Sequence, residues 1–367
     1  MKTRKILIAV LAAAMSLTVV SCGDSEKKSE SEQSSETVTT EAATEAATET
    51  STDAEEETTA EGTDANAEAN PFGETVDIMN YIDSTEIAPP LWKVTDPESG
   101  NTMYLMGTIH ALPTAVKDYP DNILEIYNNC DAVAVEYDIS KLTTDAVVAN
   151  AFGQALLYTD GTTIKDHISE ETYNKAKGYF ESIGGYSEML DQYTTGFWLD
   201  QILSVCMYRM ENLELSGTDA YFIAKAQEDG KEVISIEELS AQTGALNAYS
   251  DDLADYYISD GIDNIDDMEG FAESYSELYT PWSKGDGEIS FDDEEDMDEL
   301  PEDLLDDYAE YKKILLTDRN KVMADRAAEL IKGDKSVFFM VGAAHYSDVD
   351  GVDNLLEEKG FTVEKIA

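Results

Sequence analysis

The sequence predicts an α/β fold, and three observations carry that expectation. Four short segments are apolar on both faces, as strands of a covered sheet must be: Met103–Met106, Ala132–Val135, Val233–Ile236 and Val337–Val341. Stretches with helical punctuation lie between them, so strand and helix alternate along the chain. Two of the strands also run into one frame, an apolar strand followed by Gly-x-x-His: Tyr104-Leu-Met-Gly107-Thr-Ile-His110 and Phe339-Met-Val-Gly342-Ala-Ala-His345.

Taken in chain order, the first element is a targeting signal rather than part of the fold. Lys2, Arg4 and Lys5 precede an apolar run from Ile6 to Val20, too short to span a bilayer comfortably. The run closes Val19-Val20-Ser21-Cys22, the pattern of a bacterial lipobox, so residues 1–21 are expected to be a lipoprotein signal peptide and Cys22 the lipidated N-terminus. Residues 22–70 follow as an acidic tether of Ser, Thr, Glu and Ala. With almost no large apolar side chains it cannot offset chain entropy, and its like charges extend it.

The folded body is expected from residue 71 to 367. Ser169 caps a helix through Phe180 that ends at Gly184-Gly185. Thr218 or Asp219 starts another that stops at Gly230. Pro301 stands near the start of a long helix that ends at Gly333, with Leu316, Met323, Ala327 and Leu330 as its apolar face. Residues from about 140 to 310 read as a largely helical insertion between the two Gly-x-x-His halves. Within it, residues 285–307 form an acidic loop whose spacing fits no helix–loop–helix calcium site. Cys130 and Cys206 are expected to be unpaired.

Chemistry gathers at the strand ends. Gly107 and Gly342 are expected to permit close backbone approach or positive φ just past each strand, placing His110 and His345 beyond the carboxyl ends. Asp121-Asn-Ile-Leu-Glu125 follows the first His and Asp353-Asn-Leu-Leu-Glu357 the second, which suggests an internal duplication of strand–GxxH–helix–strand. Val135 runs into Glu136 and Ile236 into Glu237. If the strands are parallel, two His and two Glu collect at one sheet edge, where open α/β sheets bind ligands. Two imidazoles with one or two carboxylates suit a catalytic divalent metal, the remaining Glu serving as base to bound water. The structural alternatives are capped or hydrogen-bonded His, helix-start carboxylates, and an Arg319 that either snorkels or turns inward to pair a carboxylate. His167, between Asp166 and the Ser169 cap, reads as surface.

The body resembles the TraB/GumN family. Leu91-Trp-Lys-Val94, Met106-Gly-Thr-Ile-His110, Val135-Glu136 with Asp138, and Gly217-Thr-Asp219 with Ala226 carry the resemblance. Ile236-Glu237 with Gln242, Trp282, Gly285-Asp286, Arg319-Asn320, Val341-Gly-Ala-Ala-His345, Gly351 and Gly360-Phe361 continue it. It implies a mixed, largely parallel sheet flanked by helices, related to the erythromycin-esterase and ChaN-like proteins. It also implies protease activity of the kind known in the family's Tiki members, which are metal-dependent. By motif, His110, His345 and Glu136 become the metal or catalytic candidates, with Glu237 and Arg319 beside them. Ala344, where many members have Gly, and Tyr346, where an aliphatic residue is common, depart from the pattern.

Charge bounds the partners. Lys and Arg number 24 against 78 Asp and Glu, a net charge of −54. Nucleic acid is excluded as a partner, and anionic lipid is not docked by charge; the membrane is reached through the lipid anchor alone. Two readings stay open. One is a cell-envelope, lipid-anchored peptidase using Mn, Co or Zn on a peptide or protein outside the cytoplasm. The other is a non-catalytic surface lipoprotein that captures a peptide in the same cleft. Metal-free hydrolysis ranks last, because no Ser or Cys sits in a nucleophile frame such as GxSxG.

Overall fold

A computed structural model describes residues 70, 72–286, 300–347 and 349–366. The signal segment, Cys22, the tether to residue 69 and residues 287–299 of the acidic loop lie outside the described residues. The strands, in chain order, are β1 (Val76–Asp77), β2 (Leu91–Thr95), β3 (Thr102–Thr108), β4 (Leu112–Pro113) and β5 (Ala132–Val135). Then come β6 (Met210–Glu211), β7 (Leu213–Glu214), β8 (Glu232–Ser235), β9 (Val337–Gly342) and β10 (Thr362–Lys365). The helices are α1 (Asp121–Asn129), α2 (Lys141–Thr144), α3 (Ala146–Ala155), α4 (Glu170–Ser182), α5 (Thr195–Tyr208) and α6 (Gly217–Asp229). They continue as α7 (Leu239–Leu246), α8 (Asp251–Asp263), α9 (Met268–Ser283), α10 (Leu305–Lys312), α11 (Asp318–Leu330) and α12 (Val352–Glu358).

Six strands make one sheet in the order β10-β2-β3-β9-β5-β8. β3, β9, β5 and β8 run parallel to their neighbours, while β2 is antiparallel to both β3 and β10. The sheet is therefore mixed and mostly parallel, flanked by helices. Its central strands alternate between two apolar layers, as the two-residue period of a strand requires. Met106, Val133, Val135, Phe338 and Met340 face one layer; Met103, Leu105, Ala132, Phe339 and Val341 face the other.

The connections explain where the site lies. β3 to β5 by α1 and β5 to β8 by α6 move one way across the first layer, to which Ile123 and Phe222 belong. β8 to β9 by α11 and β9 to β10 by α12 move the other way across the second layer, to which Met323 and Leu356 belong. All four crossovers thus have the same hand. β3 and β9 are neighbours whose connections leave in opposite directions over opposite faces. That is a topological switch point, and a crevice opens at the carboxyl ends of such a pair.

Several expectations are corrected. β8 is not covered on both faces: it is an edge strand, and Val233 and Ile234 are half-buried. Glycines 107 and 342 do not lie past their strands and do not take positive φ; Gly107 sits inside β3 and Gly342 ends β9. A Cβ on Gly107 would stand 3.2 Å from the Ala343 backbone, so close approach is what that position needs. The long helix after Pro301 is broken into a 3-10 turn, α10, a π-helical turn at Lys313–Thr317, and α11. The two strand–GxxH–helix–strand units repeat locally, but their helices cover opposite faces. Their return strands β5 and β10 lie in opposite directions from the switch point, so the fold does not repeat in tandem. Among the described residues of the 140–310 stretch, the elements are helices except for the β6 and β7 pieces and β8, which returns to the main sheet.

Other readings are seen directly. Ser169 Oγ accepts from Thr172 N at the start of α4, and Gly230 closes α6 in the left-handed conformation. Cys130 and Cys206 are buried and not disulfide-bonded, and burial pushes the Cys130 thiol up to about 11. Among the described residues no helix is long and apolar enough to cross a membrane.

Candidate functional site

Parallel pairing brings the strand-end residues to one edge. His110 lies two residues beyond β3, His345 three beyond β9 in a short 3-10 turn, Glu136 directly after β5, and Glu237 two after β8. Backbone bonds from Ile236 N to Val135 O and from Glu237 N to Glu136 O, both 2.9 Å, carry the β5–β8 ladder past the strands and hold the two carboxylates side by side. A cleft with about 770 Å³ of empty space, part of it open to solvent, is lined by His110, Glu136, Asp219 and Gln242 among others. His345, Glu237 and Arg319 do not line it; they form the layer beneath.

Arg319 turns inward. Its Nε donates to Glu237 Oε1 at 2.9 Å, its Nη2 to Glu237 Oε2 at 2.7 Å and to Glu136 Oε2 at 2.6 Å, and its Nη1 to Leu315 O at 3.2 Å. The preceding π-helical turn supplies that direction, because its extra residue re-aims the following helix so that Arg319 and Asn320 both face the interior. Gln242 Nε2 bridges the same carboxylates, 2.7 Å from Glu237 Oε2 and 3.3 Å from Glu136 Oε2. One guanidinium thus faces two buried carboxylates, which leaves a negative charge in excess.

Those partners set the protonation states. Burial raises the Glu237 carboxyl, with Glu136 adding to it, and Arg319 opposes. Burial also raises Glu136, but the neighbouring His345, Arg319 and His110 charges and the Gly342 N–H outweigh it, and its carboxyl lies well below the usual carboxylate range. Burial pushes His345 down to about 3, so its imidazole is neutral near neutral pH. The lasting causes at Glu136 are therefore the Arg319 guanidinium and the Gly342 N–H, which donates to Oε1 at 2.7 Å.

Each imidazole has a polar side chain facing its Nδ1. Asn320 Nδ2 donates to Asp350 O at 2.9 Å, so Asn320 Oδ1 is the atom 2.5 Å from His345 Nδ1, and that nitrogen carries the proton. His345 Nε2 is then a lone pair. It makes no hydrogen bond and stands 3.6 Å from Glu136 Oε1 in a fully buried place. His110 Nδ1 lies 3.2 Å from Asp219 Oδ2, and Thr108 Oγ1 donates to Asp219 Oδ1 at 3.2 Å. The His110 ring thus stands beside a carboxylate that Thr108 holds from the strand end. Gly217 begins α6 with φ 59°, and a Cβ there would stand 2.5 Å from the His110 Cα.

A divalent cation fits this donor chemistry. His345 Nε2 faces the Glu136 carboxylate, and His110 lines the cleft that Glu136 also lines. The 3.6 Å between His345 Nε2 and Glu136 Oε1 is near the roughly 3.3 Å separating two ligand atoms about a tetrahedral ion with ~2.0 Å bonds. A lone pair facing a carboxylate repels unless a cation or proton lies between them. Among the described residues, no group of three or more His, Cys, Asp or Glu side chains is placed to hold a metal ion, so the fit is one of donor types.

Asp219, Asn320 and Gln242 are the site residues that strand-end reasoning missed. Each comes from a helix, Gln242 only five residues after Glu237 and the other two far from their partners, and only the pairing with His110, His345 and the two Glu gives it a role. His167 is half-buried rather than surface. It bonds Asp251 and Thr162 at 2.9 Å each and stacks on Tyr158 with centroids 4.1 Å apart, tying a loop to α8.

The profile of the TraB/PrgY/gumN family matches residues 90–365, a span that begins just before β2 and ends with β10. Metalloprotease TIKI2 of Danio rerio is 22% identical over 317 residues, covering 75% of this chain and 60% of that protein. Metalloprotease TIKI1 of Danio rerio is 23% identical over 317 residues, with 75% and 62% covered. Metalloprotease TIKI2 of Xenopus tropicalis is 23% identical over 306 residues, with 71% and 57% covered. The chain spans about three-fifths of the length of these relatives. No solved structure matches it.

Proposed function

Since the chain belongs to the TraB/PrgY/gumN family, we propose that it is a divalent-metal-dependent peptidase held outside the cytoplasm. Residues 1–21 direct export, Cys22 carries the lipid, and residues 22–70 hang the body 71–367 away from the membrane. The substrate is a peptide or protein in that space. The single observation that carries the reading is the fully buried His345, whose Nε2 makes no hydrogen bond and stands 3.6 Å from Glu136 Oε1.

His110, His345 and Glu136 would hold the ion. When bound, it supplies a water of lowered pKa and an electrophile for the scissile carbonyl. Asp219 and Asn320 would position the imidazoles of His110 and His345. Arg319 and Gln242 pin Glu136 Oε2 and leave Oε1 on the imidazole side. Glu136, ionised beside Arg319, serves as ligand or as base to the bound water. Glu237 and Arg319 act by position from beneath the cleft.

The test is cleavage of a peptide mixture by the full chain, with and without chelator. His110→Ala and His345→Ala should each reduce cleavage at least about a thousandfold with the fold intact. Equal cleavage by both variants removes the peptidase reading. Saturable peptide binding without product, indifferent to chelator, replaces it with the capture reading.

A further inference from the structure

We propose that the cleft carries a built subsite for an uncharged apolar side chain, so that the substrates of this site bear a Leu-, Ile- or Phe-like residue beside the reacting bond. The reaction in this statement rests on the peptidase reading; the subsite itself rests on the cleft wall. Beside His110, Glu136, Asp219 and Gln242, the cleft is lined by an apolar wall of Tyr137, Ile139, Leu142 and Leu215, with Thr143 and Ser216. Three of the four apolar residues come from the chain just after Glu136, and Leu215 comes just before Gly217. Both segments are therefore anchored by residues that position the chemistry. Ile139, Leu142 and Leu215 pack their inner sides on the main core while remaining half-exposed at the cleft. Apolar surface held concave and partly wet gains by being covered.

Charge narrows the occupant. No Lys or Arg is among the residues lining the cleft, while Glu136 and Asp219 are. An acidic side chain would meet Glu136 and Asp219, and a basic one would bury its charge against the apolar wall. A branched or aromatic apolar side chain meets neither penalty. Hydrophobic pockets discriminate by about 10–200-fold per missing methylene. Alanine in place of leucine in the substrate is therefore expected to cost at least about tenfold.

The experiment measures binding and turnover separately on the full chain. The probes are blocked tripeptides acetyl-Gly-X-Gly-amide with X as Leu, Ala, Asp or Lys. Calorimetric titration should give the tightest Kd for Leu, at least about tenfold weaker for Ala, and the weakest for Asp. Leu142→Asp should abolish the preference for Leu over Ala and improve Lys. Leu215→Thr, a milder change, should weaken Leu binding several-fold while leaving Asp unchanged. Equal Kd values across the series, or a Leu preference untouched in both variants, overturns the subsite. Selective Leu binding without cleavage of any longer peptide overturns the peptidase reading and leaves the subsite standing. Cleavage without side-chain preference does the reverse.

Discussion

Asn320 is the residue through which the site can be tested most locally. Its Oδ1 accepts from His345 Nδ1 and its Nδ2 donates to Asp350 O, so it fixes the tautomer that leaves the His345 Nε2 lone pair toward Glu136. Asn320→Ala should weaken metal affinity about 10–100-fold without unfolding the chain, and Asn320→Asp should restore most of it, since a carboxylate also accepts from Nδ1. Metal titration followed by calorimetry reads this directly; wild-type affinity in Asn320→Ala would assign Asn320 to packing alone. A second residue titrates away from the site. Asp200 on α5 is buried with Gln201 Nε2 as its hydrogen-bond donor at 3.3 Å, and burial raises its carboxyl to about 7. Between about pH 4 and 7 the folded state keeps a proton that the unfolded state has lost, so this group's contribution to stability falls as pH rises through that window. Asp200→Asn should therefore gain on the order of 2 kcal/mol over wild type at pH 8 and nothing at pH 4. Denaturant melts at the two pH values check the sign; a gain that persists unchanged at pH 4 contradicts it.

Helix α6 shows how an element reaches into the chemistry. Its first residue, Gly217, takes φ 59° and lies against the His110 backbone, while Asp219 one turn in holds the His110 ring. Gly217→Ala should cost about 1–2 kcal/mol for the left-handed backbone alone. Its methyl group would also displace His110, and a shift near 1 Å is worth about a hundredfold in rate. The expected result is a protein that melts somewhat lower and has lost nearly all cleavage. A variant with wild-type kcat/KM would show that His110 tolerates movement. α11 teaches the complementary lesson about what was legible. Its apolar stripe of Met323 and Ala327 could be read from helical spacing. The inward turn of Arg319 could not, because spacing alone does not reveal the π-helical turn that re-aims it. β3, β5 and β9 were legible because both faces are apolar. β8 looked the same in composition, yet it lies at the sheet edge and stays half-buried. β2, with Lys93 in its middle, becomes a strand through pairing with β3 and β10 rather than through its own pattern.

At the scale of the molecule, the sheet order does what no local motif can. The two Gly-x-x-His frames stand more than two hundred residues apart in sequence, yet they meet because β3 and β9 are adjacent and parallel, with Gly107 opposite Val341 and Thr108 opposite Gly342. Their likeness suggested a duplication; the crossovers, running opposite ways over opposite faces, explain instead why a crevice opens between them. The strand-end His and Glu were legible as a set once parallel pairing was assumed. The family resemblance picks out Asp219, Gln242 and Asn320 but not their roles, since Asp219 meets His110 and Asn320 meets His345 across elements and sequence spacing carries no record of that. The central claim is that His110 and His345 hold one divalent ion at this switch point, and metal content tests it most directly. The full chain, purified without chelators or a His tag, should carry about one Mn, Co or Zn per molecule. The His110→Ala/His345→Ala double variant should carry none and take up none on titration. A folded wild type that holds no metal and binds none on titration, or a double variant that binds as well as wild type, would contradict the account.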